Sequence, residues 1–227
     1  FFAWYAYHLA PTTADEIAQL WHARILLHGH ATLPADPNFE FFAVDNVVDR
    51  GAWYSQFPIG GPLVLTLGYL MHAPWLLDPL LGGLTAVALY QFARRAYGET
   101  QGRAIASLFA LTPVALLMSA SYMNHVPVLL LTAVSLAALA EWQSAASTGR
   151  GMAMAAVIGL ALGLMATIRP LDALVEHHRG ALHLLRRGDD VEHVVHVRGL
   201  MEMDVHVPHD EGEARRLLFR LLEQRAM

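Results

Sequence analysis

The chain has 227 residues, of which 55% are apolar and 15% charged; ordinary globular proteins run at about 45–50% and about 25%. Its net charge of −5 argues against nucleic acid as a main partner. With no cysteine it can form no disulfide and do no thiol chemistry.

In chain order, Phe1 to Ala10 reads as the tail of a first membrane span, with more chain expected upstream. It lacks the basic flank and small-residue cleavage site of a signal peptide. Trp4, Tyr5 and Tyr7 suit a membrane–water interface. Ile17, Leu20, Trp21 and Leu27 recur at helical spacing and predict an amphipathic helix from Thr13 to about His28, stopped by Gly29. Residues 30–58 read as a long, ordered loop. Ile59–Trp75 is apolar but interrupted by Gly60, Gly61, Pro62, His72 and Pro74, the pattern of a re-entrant or surface-lying helix.

Spans follow at 76–93, 103–121, 126–142 and 151–168. No residue carries a formal charge over 104–140 or 151–168, and a helix needs about 20 apolar residues to cross the hydrocarbon. If Ile59–Trp75 does not cross, Arg94, Arg95, Arg103 and Arg150 share one side, cytoplasmic by the positive-inside rule. The outer loop 11–75, the segment 121–125 and Arg169 then lie opposite; if it does cross, the order inverts. After Val175 the chain becomes rich in Asp, Glu, Arg and His. Residues 176–227 read either as a soluble ββα tail, with strands at Val191–Arg198 and Met201–Val207 and a helix at Asp210–Arg225, or as an out-of-frame or chimeric appendage.

The expected fold class is therefore all-α: a multi-spanning helical membrane protein with surface-lying helices in the first outer loop and a small C-terminal α+β tail. Residues 1–175 form a partial transmembrane module, an N-terminal fragment of a larger one.

Three places carry candidate chemistry. Asp15 and Glu16 stand just outside the first span, where adjacent carboxylates can supply a general base and a metal ligand. Thr13-Ala14-Asp15-Glu16 equally fits a capping box, with Glu16 at the third helical position. His125 lies between two apolar spans and is either a metal ligand or a hydrogen-bonded loop histidine. Arg169 closes the last span, either as a phosphate contact or as a snorkelling interfacial side chain. The tail pairs His193/His196 and His206/His209 do not make a metal site: residues i and i+3 of a strand face opposite sides, and Pro208 breaks the second pair.

In their order and spacing these features resemble the GT-C membrane glycosyltransferases, in particular bacterial relatives of the protein O-mannosyltransferases and of the aminoarabinose transferase (glycosyltransferase 39-like). The carrying residues are Ala14-Asp15-Glu16, the stretch Trp53-Tyr54-Ser55-Gln56-Phe57-Pro58-Ile59-Gly60-Gly61-Pro62-Leu63, Ala93-Arg94-Arg95-Ala96-Tyr97-Gly98, Leu111-Thr112-Pro113, Asn124-His125-Val126-Pro127 and Arg169-Pro170. The resemblance implies a GT-C-like fold, Asp15 as catalytic base, Glu16 helping to shape the site, and Arg169 at the lipid phosphate. His125 stands where many relatives carry an Asp able to bind a metal, so a divalent cation is the one cofactor to consider. Relatives often place a charged residue where Gln56 and Phe57 stand, so that contact does not transfer. The implied donor is a polyprenyl- or dolichyl-phosphate sugar. The implied acceptor is a hydroxyl of a lipid, glycan or protein on the periplasmic or extracellular face of a bacterial inner (plasma) membrane. A fragment is expected to be inactive alone. The competing readings are a transporter fragment, which the scarcity of ionisable groups within the spans disfavours, and a non-catalytic membrane scaffold.

Overall fold

The computed structural model describes residues 1–34, 45–49, 51–145, 147–171 and 173, all within the first of two compact units, Phe1–Gly180. The expectations for the tail and for the boundary at 175 fall outside the described residues.

The described chain is mostly helical, in the order α1 (Phe2–Tyr5), α2 (Ala14–Leu27), β1 (Leu33–Pro34), β2 (Val47–Asp49), β3 (Ala52–Ser55), α3 (Gly60–Leu70), α4 (Pro74–Tyr97), α5 (Glu99–Leu111), α6 (Pro113–Ala120), α7 (His125–Gln143) and α8 (Thr148–Ile168). Where a span tail was expected, α1 is one turn long. His8 and Leu9 lie at φ 50° and 59°, a left-handed conformation that ends a right-handed helix.

The stretch read as a loop carries a small antiparallel sheet, ordered β1-β3-β2, with Val47 opposite Ser55 and Asp49 opposite Trp53. Trp53 and Tyr54 are good strand formers, and Gly51 supplies the positive φ of 81° at the turn. Trp53 meets Trp21 of α2 edge to face at 5.7 Å, which docks the sheet on that helix.

Proline sets the helix boundaries that matter most. Thr112 is extended ahead of Pro113 (φ −66°, ψ 124°) because the proline ring disfavours the helical region for its predecessor. The expected single span over 103–121 is consequently two helices, α5 and α6, meeting at 57°. Arg169 is extended before Pro170 for the same reason (φ −143°, ψ 89°), and α8 stops at Ile168. Pro127 is accommodated because it falls in the first turn of α7, where amides have no intrahelical partner.

Helices α4, α7 and α8 are each long and apolar enough to cross a membrane; the bent pair α5–α6 qualifies when taken together. Helix α3 has 11 residues, too short for a hydrocarbon layer of about 30 Å. Helix α4 packs on α5 and α7, α7 on α8, and α2 on α3. One core joins Leu20, Ala23, Leu65, Leu77 and Tyr122; a second joins Val128, Met165, Ile168 and Ala173. At one end of the helices Glu141 is bridged by Arg95 and, at 3.7 Å, by Arg150. At the other end the start of α7 and the end of α8 come together beside α2.

Candidate functional site

The N-terminus of α2 divides the acid pair. Thr13 is extended, its Oγ1 accepts from Glu16 N at 3.3 Å, and the Glu16 carboxylate accepts from Thr13 N at 3.3 Å, completing the capping box. Glu16 is 2% exposed and also accepts from Thr12 N and Oγ1, while its other oxygen takes Tyr122 N at 3.4 Å. Tyr122 donates its hydroxyl to Leu9 O at 2.9 Å. Burial pushes the Tyr122 phenol above its ordinary pKa, and nearby Tyr69, Glu16 and Asp78 add to the shift. Glu16 therefore ties the 9–13 segment and the α6–α7 turn to α2, and does not face the cavity described next.

Asp15 points the other way. It lines a cavity of about 370 Å³ together with Gln19, Phe57, Pro58, Met123, Asn124, His125, Ile168, Arg169, Pro170 and Leu171. Asp15 and Gln19 are one helical turn apart and so share a face of α2. Gln19 is 2% exposed, and its Oε1 has no hydrogen-bond partner among the described residues. Asn46 Nδ2 donates to Asp15 Oδ1 at 2.6 Å. Phe57 and Pro58 are brought to the rim by Ser55, whose Oγ accepts from Phe57 N at 3.2 Å.

The opposite wall comes from α7 and α8. An Arg169 guanidinium nitrogen lies 3.0 Å from His125 Nδ1. Because a guanidinium only donates, Nδ1 is the acceptor and the ring proton sits on Nε2. Glycine makes this wall possible: a Cβ on Gly60 would strike Thr167 of α8, and one on Gly61 would strike the Asn124 amide. The start of α3 can slide beneath the site only without side chains there.

Asp15, His125 and Arg169, named from sequence, are thus brought to one cavity, and Glu16 to its supporting frame. His125 meets the Arg169 guanidinium through Nδ1. Among the described residues no three His, Cys, Asp or Glu side chains gather as a cation cage. Sequence reasoning missed Gln19, which the i+4 spacing from Asp15 could have found, and Asn46, which carries no periodic signal. A second cavity of about 360 Å³, between α1, α4, α5 and α6, has no titratable side chain in its lining and offers no acid–base chemistry.

No protein-family model, curated protein or solved structure matches the chain.

Proposed function

We propose that the chain is part of an integral-membrane glycosyltransferase of the GT-C kind, moving a sugar from a polyprenyl-phosphate donor to an acceptor hydroxyl. The observation that carries this reading is the shared cavity: a carboxylate from the first long helix and a guanidinium from the end of the last described one meet in a space of ligand size. An acid that can take a proton and a cation that can hold a phosphate are the two groups such a displacement needs.

In the reaction, Asp15 accepts the proton of the acceptor hydroxyl as the hydroxyl oxygen bonds to the anomeric carbon. The bond from that carbon to the phosphate oxygen breaks, and the lipid phosphate leaves with the electron pair. Arg169 neutralises the departing oxygens with its fork of donors, and His125 Nδ1 holds the guanidinium in place. Gln19 offers a buried amide to a sugar or acceptor hydroxyl. No step runs through a metal.

Embedding in a bilayer is supported by the way the long helices face outward. Only 17% of the most apolar window of α8 is buried, and Leu160 and Leu164 are 66% and 47% exposed; a helix of a water-soluble protein turns such residues inward. With the arginine-rich end in the cytoplasm, the cavity opens on the outer face of a bacterial inner membrane.

The test uses membranes carrying the chain and, separately, membranes carrying any longer reading frame that contains it, each supplied with a polyprenyl-phosphate sugar. Asp15→Asn is expected to lower transfer by about 10²–10⁴-fold while the protein still inserts, and Arg169→Leu to raise the donor KM. Transfer left intact by Asp15→Asn would falsify the reading.

A further inference from the structure

The β2–β3 hairpin ends on a residue that no motif points to. Asn46 directly precedes β2, and extending the register that sets Val47 opposite Ser55 places Asn46 opposite Gln56. That pairing is double. Gln56 N donates to the Asn46 backbone oxygen at 2.9 Å, and Gln56 Nε2 donates to Asn46 Oδ1. Asn46 also sits at φ 69°, a left-handed conformation in which Asn is one of the few tolerated side chains. The Asp15 carboxylate assigns the amide: it only accepts, so Nδ2 faces Asp15, whose Oδ1 it meets at 2.6 Å, and Oδ1 faces Gln56. Asp15 Oδ2 makes no hydrogen bond among the described residues, and the side chain borders the cavity.

We propose that Asn46, clamped by Gln56, is a positioning residue for Asp15: it holds one carboxylate oxygen so that the other is presented to the substrate hydroxyl in the cavity. The assignment rests on Asp15 being the base of the transfer reaction. A base must come within about 2.6–3.2 Å of the proton it takes, and a displacement of about 1 Å can cost about 10²-fold in rate. A carboxylate near the start of a helix has two free torsions. The bond from Asn46 removes that freedom, and it reaches Asp15 from a separate element, the sheet docked on α2 through Trp53 and Trp21.

Two substitutions test this without disturbing the backbone. Asn46→Gly keeps the positive φ and deletes the donor. Asn46→Asp keeps the shape and the acceptor for Gln56 but turns an oxygen toward Asp15. Both are expected to lower kcat by about 10–100-fold with the donor KM within about twofold. In the Asp15→Asn background neither is expected to lower it further, because Asn46 acts only through Asp15. Unchanged kcat, or losses that multiply with Asp15→Asn, would overturn the assignment. Infrared difference spectra decide the contact independently of turnover. The Asp15 carboxylate band, recognised by its loss in Asp15→Asn, is expected to shift in Asn46→Gly; an unshifted band also overturns the proposal. If wild-type membranes carrying the longer reading frame transfer no sugar, the functional reading fails, and the band still decides whether Asn46 holds Asp15.

Discussion

Two adjacent carboxylates, Asp15 and Glu16, have opposite environments because consecutive helical residues point about 100° apart. Glu16 spends its oxygens on Thr12, Thr13 and Tyr122 and is buried. Asp15 has one oxygen bonded and faces a cavity. Glu16→Ala leaves several amides without a partner, each worth about 1–3 kcal/mol if buried, so its expected cost is about 2–4 kcal/mol. Asp15→Asn keeps an oxygen for the Asn46 donor and is expected to change stability by less than about 0.5 kcal/mol. Denaturant titration of the two purified variants in detergent measures this, and a larger loss in Asp15→Asn than in Glu16→Ala would reverse the roles. The sequence left cap and catalytic readings open for the pair as a whole, since Thr-x-x-Glu is compatible with both. Only the contacts of each carboxylate separate them.

At the scale of elements, prolines and glycines decide how the helices meet. Pro113 turns an apolar run into two helices, and Pro170 ends α8 where Arg169 is needed. Gly60 and Gly61 let the start of α3 approach Thr167 and Asn124 more closely than any Cβ allows. Gly60→Ala must push the start of α3 or the end of α8 aside, because the added Cβ would meet the Thr167 backbone at 2.6 Å. It is expected to cost about 1–3 kcal/mol and to lower transfer, because Ile168 and Arg169, which follow Thr167, border the cavity. Gly159→Ala, on α8 with nothing within 4 Å of the added Cβ, is expected to be neutral or to stabilise by up to about 1 kcal/mol. Thermal unfolding of both variants decides; equal effects would mean that the close approach is unimportant. Asp78 stands apart: it lies buried within α4, and neither of its carboxylate oxygens has a partner among the described residues.

Across the whole molecule, the two ends of the helices differ in chemistry. One gathers Arg94, Arg95, Arg103, Glu141 and Arg150, and the other gathers the cavity with Asp15, His125 and Arg169. In a membrane these ends face opposite sides. Because the chain has no cysteine, single-cysteine labelling is clean. His30→Cys is expected to react with a membrane-impermeant thiol reagent from outside, and Thr148→Cys only after the membrane is opened. Labelling of both from one side would sink the proposed orientation.

Hydrophobic runs, the Thr13–Glu16 capping pattern and the positions of proline determined from sequence alone where most helices lie, because each acts within a few residues along the chain. The same local signals singled out Asp15, His125 and Arg169 as candidates. Tertiary structure alone decided that these three share a cavity, that Glu16 belongs to the frame, and that Asn46 reaches Asp15 from a small sheet. Those outcomes depend on close approaches between residues far apart in the chain, and no periodicity or spacing encodes such approaches.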